Sequence, residues 1–387
     1  MRRRQRIGLF SAAFVMTVGT GTVAASSVGT VPAGAAKASG GDAHSFLHQL
    51  NGGVQISSTV PTNGDVNPYG VAVVPTTRGR LVAGDILVSN FNSKANVQGT
   101  GSTIVEVSPT GGQQLFAQVS RLTVGRQCPG GIGLSTALSV LPGGWVVVGS
   151  LPTGVNGALP KGDPAGCLIV LNSEGVVAET ISTPEIVGPW DMVAETTGAG
   201  ADLFVSNALG GDIRTSKGIP VAGSCTVVRL DLAYSPKSPP TLLRQTIIGK
   251  GFPWQANKAA LVLAPTGLAL SFEGTLYVDN SLNNTVTAIT NATKRSKAVV
   301  AGAHIVAKGG GLNAPLGMVI TSSGDLIVVN GNNGVATELG PSGKQVATKT
   351  LIKNGAGDLF GIALTPNGQG LYFVNDGTNA LELAQLG

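Results

Sequence analysis

The sequence predicts an all-β fold, a six-bladed β-propeller of four-stranded antiparallel blades closed by an N-terminal strand. Three observations carry that expectation. The stretch PTGLALSFEGTLYVDN, Pro265 to Asn280, recurs five more times along the chain. Each copy joins two short apolar runs across a turn, and a third strand follows it. The last copy ends close to the C-terminus without a fourth strand, while a strand candidate, Gly53 to Val60, lies upstream of the first. Fixed-period copies of a strand-rich unit cannot each bury two faces alone and must stack on their neighbours. Such a ring is one domain, so 39–387 is read as a single propeller behind a leader at 1–38.

Within the unit, Leu268 to Leu270 and Leu276 to Val278 are the apolar runs, and Phe272-Glu273-Gly274 is the turn. Thr285 to Ile289 supplies the third strand. Pro315 to Asn330 and Ser135 to Ser150 match without a gap, with third strands at Val335 to Leu339 and Leu168 to Leu171. Pro68 to Asn90, Pro189 to Asn207 and Leu359 to Asn375 carry short insertions in the first turn, and Ala380 to Leu383 is the third strand of the last unit. Longer insertions, Phe91 to Gly101, Leu151 to Gly166 and Ala208 to Ser224, all join second to third strands and are expected on one face. Ala233 to Leu263 is read as a further loop, with Phe252 and Trp254 exposed on it. Loops gathered on one side of a rigid scaffold are where binding is usually carried.

The N-terminus has Arg2, Arg3, Arg4 and Arg6, an apolar segment from Ile7 to Ala25, and a small-residue exit at Ala36 to Ala38, the pattern of a cleaved signal peptide. The expected location is therefore secreted or periplasmic, with no membrane span after cleavage. Residues 1–38 hold five basic and no acidic side chains, so removing them from the totals of 25 and 20 leaves 20 of each sign. The mature chain is formally neutral and has no basic cluster with interleaved aromatics, so no nucleic-acid partner is expected. Cys128 and Cys167 are expected to pair, leaving Cys225 over.

The run of P-x-G, then G-x-L-(Tyr/Ile)-V, then an Asn-rich turn resembles the NHL-repeat six-bladed propellers, best at Pro265 to Ile289, Pro315 to Gly343 and Leu359 to Leu383. PTGLALSFEGTLYVDNS is also similar to a segment of the gluconolactonase-type propellers, where an Asn and an Asp help to hold a divalent cation in the central channel. The matching positions here are Thr266 and Asn280, neither of them anionic. The resemblance implies the fold and stops short of the metal site, so no cofactor is expected and Ca2+ is kept as the alternative. Propeller lyases generally use central His residues, whereas His44 and His48 precede the ring and His304 falls in a linker. No G-x-S-x-G nucleophile elbow and no phosphate loop occurs.

Candidate ligand-binding residues are Asp191 with its neighbour Trp190, and the strand-end Asn90, Asn207, Asn280, Asn330 and Asn375. Asp191 occupies the slot that is Gly70, Ala137, Gly267, Gly317 or Gly361 in the other units. The Asn residues are read either as a polar rosette or as caps on turn backbone. These readings point to a monomeric exported module that binds a protein or small polar ligand through its loop-bearing face, with no catalytic residues assigned. The alternative is a lactonase- or lyase-like hydrolytic enzyme with a cation in the channel.

Overall fold

The computed structural model describes residues 45–120, 128–159, 162, 165–198, 200–210 and 221–387, with backbone only at 221–223. The predicted leader, His44 and parts of two insertions (160, 161, 163, 164 and 211–220) lie outside the described residues. Six antiparallel sheets follow one another around a ring. Blade 1 comprises Val66–Val73, Ile86–Asn92, Thr103–Val107 and Gln113–Gln118, and blade 2 comprises Leu138–Leu141, Trp145–Ser150, Cys167–Leu171 and Val177–Ile181. Blade 3 comprises Pro189–Thr197, Gly200–Asn207, Val221–Ser235 and Ser238–Asn257, and two short strands, Leu261–Leu263 and Val299–Val300, extend it. Blade 4 is Pro265–Leu270, Leu276–Asn280, Thr285–Ile289 and Ile305–Lys308; blade 5 is Pro315–Ile320, Leu326–Asn330, Val335–Leu339 and Gln345–Thr350. In blade 6, Leu359–Leu364, Gly370–Asn375 and Ala380–Gln385 are joined by Val54–Ser58 from the other end of the chain, with Val54 opposite Leu383 and Ser58 opposite Ala380.

Local chemistry explains the repeating hairpin. Gly274 and Gly324 turn the chain at φ of 76° and 87°, a backbone region open to glycine. The second strands are buried along their whole length, because each blade is covered on both faces by its neighbours: all of Leu276–Asn280, Leu326–Asn330 and Gly370–Asn375 is buried. The innermost strand of each blade is an end strand of its sheet, so six unpaired backbone edges face the axis.

The segment expected to be a loop between blades 3 and 4 is mostly sheet. Ser238–Asn257 pairs along the length of Val221–Ser235, which places Phe252 at 2% and Trp254 at 0% exposure inside the central apolar cluster. Two exposed aromatic anchors were the expectation; apolar side chains in a pleated outer strand instead pack on blade 4.

Candidate functional site: a plugged channel and two buried carboxyls

The inner strands enclose a channel of about 400 Å³. Five of them begin with a register shift, between Pro68 and Val71, Pro189 and Asp191, Pro265 and Leu268, Pro315 and Gly317, and Leu359 and Ile362. A bulge of this kind re-aims side chains locally. Here it brings Tyr69, Trp190, Leu316 and Phe360 into one apolar cluster. Tyr69 stacks on Phe360 at 5.2 Å between centroids and meets Trp190 edge-on at 5.6 Å, and Trp190 Nε1 donates to the Tyr69 hydroxyl at 2.6 Å. Burial of that hydroxyl raises the Tyr69 pKa well above its ordinary value.

These side chains form a plug at the loop-bearing end. Beyond it a second cavity of about 40 Å³ is lined by Tyr69, Trp190 and Phe360 on one side and by Ala259, Ala260 and Val262 on the other. The latter belong to the hairpin in which Leu261–Leu263 pairs with Gln255 to Asn257. Gln98 Nε2, from the blade 1 insertion, donates to Ala259 O at 2.7 Å and ties that hairpin across the axis.

Asp191 lies on the channel side of the plug and lines the channel. Its Oδ1 accepts from Met192 N and its Oδ2 from Leu268 N on blade 4, both at 2.8 Å. The side chain keeps partial access to the channel but is enclosed by protein on every other side, and that desolvation pushes its pKa up to about 7 against the lowering effect of the two amides. The slot explains why its counterparts are small. A Cβ at Gly70, Gly317 or Gly361 would lie 2.5, 2.6 or 1.8 Å from a carbonyl oxygen of the next inner strand.

A second carboxyl, Asp279, was missed in the sequence because it precedes Asn280 inside a strand. It is 0% exposed. Its Oδ1 accepts from Gly267 N at 2.8 Å and contacts Thr266 Oγ1, and no donor among the described residues reaches its Oδ2. Desolvation first, and the Asp191 charge after the hydrogen bonds that oppose it, raise its pKa to about 7.

The five strand-end Asn side chains face backbone and outer-strand partners. Asn90 donates to Thr59 O, and Asn207 accepts from Val187 N and Gly188 N. Asn280 donates to Pro253 O and accepts from Leu282 N; Asn330 accepts from Asn313 N and donates to Gly311 O. Asn375 donates to Glu382 and accepts from Thr378 N. Cys128 and Cys167 form a disulfide with Cα atoms 5.4 Å apart, and Cys225 is a buried free thiol whose pKa burial raises. His48 and His304 are exposed, and no group of three or more His, Cys, Asp or Glu stands together among the described residues.

A divalent cation in the channel, as in the gluconolactonase resemblance, is not matched by these donors. Thr266 directs its hydroxyl at Asp279 and Pro315 O, and Asn280 is held by blade 3 backbone. Calcium takes roughly six to eight oxygens, with carboxylates prominent among them.

No family model matches the chain, and none of the curated proteins matches it by sequence. Solved structures do share its shape. A gluconolactonase from Xanthomonas campestris superposes with a TM-score of 0.50 at 13% identity over 84% of this chain and 88% of that one. A streptogramin B lyase superposes with a TM-score of 0.50 at 13% identity over 88% and 99%. At such identity the likeness is one of fold, a six-bladed propeller that those proteins have in common with this chain.

Proposed function

We propose that the protein is an enzyme of the lactonase or lyase kind, acting on a small molecule at the blind end of its central channel with Asp191 as proton acceptor. The observation that carries this reading is the single carboxyl in the lining of the channel, at a slot where the other blades have Gly or Ala. Burying a carboxyl there costs stability that a glycine would not, and buried ionisable groups in clefts are where proton-transfer chemistry is found. Proteins of similar fold include a gluconolactonase and a lyase, which supports the reaction class.

A group titrating near neutrality both takes and returns a proton at physiological pH. For a cyclic ester, Asp191 would take a proton from water as the water oxygen bonds to the acyl carbon. The ring C–O bond then breaks, and the proton passes to the departing oxygen. For an elimination, the same carboxylate would take the proton from carbon as the leaving group departs. The plug closes the loop-bearing end, so the substrate reaches Asp191 from the opposite mouth.

The second reading is a binding module using the loop-bearing face. It is favoured by Val155, 81% exposed on the blade 2 insertion, and by the rim that Gln98–Ala259 and Thr153–Gly99 contacts build there. Both readings take the chain to be exported by its leader and monomeric. No helix among the described residues is long and apolar enough to cross a membrane. The test is turnover of a panel of chromogenic lactones and esters by wild type and Asp191→Asn. Loss of rate by roughly 10²- to 10⁴-fold in the variant is expected. Equal rates in both proteins overturn the assignment, and saturable binding at the loop face without turnover selects the second reading.

A further inference from the structure

We propose that Asp279 is a neutral, proton-holding partner of Asp191, so that the two carboxyls share one proton and titrate as a unit. This rests on the reading of Asp191 as the channel's proton acceptor. The two side chains grip consecutive amides of one inner strand: Gly267 N–H donates to Asp279 and Leu268 N–H to Asp191.

Two geometric facts assign the proton, and a third sets Asp279 apart from its counterparts. The Thr266 hydroxyl has one hydrogen but two oxygen neighbours, Asp279 Oδ1 at 2.5 Å and Pro315 O at 2.9 Å. Both contacts are hydrogen bonds only when Asp279 donates to Thr266 Oγ1 and Thr266 donates to Pro315 O. Next, Asp279 Oδ2 is fully buried with no donor among the described residues. An ionised carboxylate would leave charge on that oxygen in a region of low dielectric. Asp191 differs, since both its oxygens accept from amides and its arrangement needs no proton.

The third fact separates Asp279 from a purely structural residue. In blades 1 and 3 the equivalent position is Ser89 or Ser206, whose hydroxyl oxygen accepts the same amide, from Gly70 N at 3.0 Å and from Asp191 N at 3.1 Å. A serine therefore does the fold's work at this position. The carboxyl in blade 4 exceeds what the hairpin needs.

The ionisable groups facing Asp279 are Asp191 from blade 3 and the Tyr69 phenol from blade 1, while blade 5 brings only backbone, the Leu316 carbonyl and the Met318 amide, near Gly267. With Asp279 uncharged, Asp191 bears the only negative charge of the pair. As Asp191 takes up a proton its field at Asp279 disappears, and the second proton becomes easier to release. Asp279 is thus a positioning residue that tunes Asp191 without touching the substrate.

The experiment is infrared difference spectroscopy of the full mature chain across pH 4 to 9, with wild type, Asp279→Ser, Asp279→Asn and Asp191→Asn. It requires no substrate, so its outcome is independent of whether turnover is found. Wild type is expected to keep a protonated-carboxyl carbonyl band well above the pH at which exposed carboxyls have lost theirs. Asp279→Ser should remove the Asp279 component of that band and leave only the Asp191 one, and in Asp191→Asn the Asp279 component should persist but titrate with roughly tenfold weaker proton affinity. Should turnover be found, Asp279→Ser and Asp279→Asn, both uncharged at every pH, should shift the alkaline limb of the pH profile of kcat/KM together, because neither can release the proton that Asp279 holds. A wild-type band lost at ordinary carboxyl pH, or one unchanged in Asp279→Ser, overturns the proposal.

Discussion

Replacing Glu338 by Gln should release the N-terminal helix from the ring. Glu338 is fully buried on the third strand of blade 5. Its carboxylate accepts from Ser45 Oγ at 2.5 Å, Phe46 N at 3.0 Å and Leu47 N at 2.9 Å. It thereby takes the free amides at the start of the short helix Phe46–Gln49, which Ser45 also caps by accepting from His48 N. A glutamine keeps the shape but turns one acceptor into a donor, so at least one of the three donors is left facing an NH2 group. A hydrogen bond to a charged acceptor contributes about 1.5 to 3 kcal/mol, and a stranded buried donor costs about 1 to 3 kcal/mol. The sum, roughly 2.5 to 6 kcal/mol, rivals what holds the segment in place. Phe46, Leu47 and Leu50 bury against Ala336, Ala347 and Ile352, and each contributes at most about 1.5 to 3 kcal/mol. Hydrogen exchange of the Leu47 and Gln49 amides, with limited proteolysis near Leu50, reads the opening. A loss of 3 kcal/mol corresponds to roughly 10²-fold faster exchange. Ser45→Ala, which loses only a cap, should cost about 1 kcal/mol. Wild-type exchange rates in Glu338→Gln would refute the reasoning.

Three further outcomes are expected. Converting Cys128 and Cys167 to Ser opens a link spanning 39 residues and should lower stability by about 2 to 4 kcal/mol, read by urea midpoint. Gly361→Ala places a Cβ 1.8 Å from Tyr69 O, which the junction of blades 6 and 1 must open to admit, at about 1 to 3 kcal/mol; an unchanged midpoint would show that the junction is soft. Asp279 has a folded pKa of about 7 against 3.8 for the unfolded chain, so the folded state binds more protons between those values. Its contribution is full below pH 3.8 and is lost as pH rises through 7, roughly 4 kcal/mol in all. Asp279→Ser should therefore flatten the wild-type decline in stability across that window, measured by denaturant unfolding at fixed ionic strength.

The blades were legible in the sequence because every unit repeats a turn glycine and an apolar second strand, and these are local properties. The pairing of Cys128 with Cys167 was expected because Cys128 enters the second unit and Cys167 stands at the start of that unit's third strand. The orientation of the inner strands was not. Alternation predicts facing only while register is kept, and bulges after Pro68, Pro189, Pro265, Pro315 and Leu359 break it. Aligning the second residue of each repeat unit gives Tyr69, Thr136, Trp190, Thr266, Leu316 and Phe360, a set whose large side chains signal the plug. Asp279 had a signal too, since its counterparts are Ser89, Gly149, Ser206, Val329 and Val374. Phe252 and Trp254 misled because a Pro between two aromatics reads as a loop, whereas an irregular outer strand accommodates it.

Val54–Ser58 completing blade 6 has a kinetic consequence. The contacts that join the two ends span 293 residues between Ser45 and Glu338 and 320 between Thr59 and Asn379, so the first cannot form until blade 5 is in place and the second until blade 6 is. Bringing such distant segments together costs roughly 5 kcal/mol of loop entropy. Until then the chain is an open arc with a bare strand edge in blade 6, the kind of surface that recruits other chains. Refolding yield should therefore fall with protein concentration more steeply than for a fold of local contacts. Once the strand is seated, opening the ring means peeling Val54–Ser58 from Ala380–Gln385 against the docked helix upstream, so spontaneous unfolding should be slow relative to equilibrium stability.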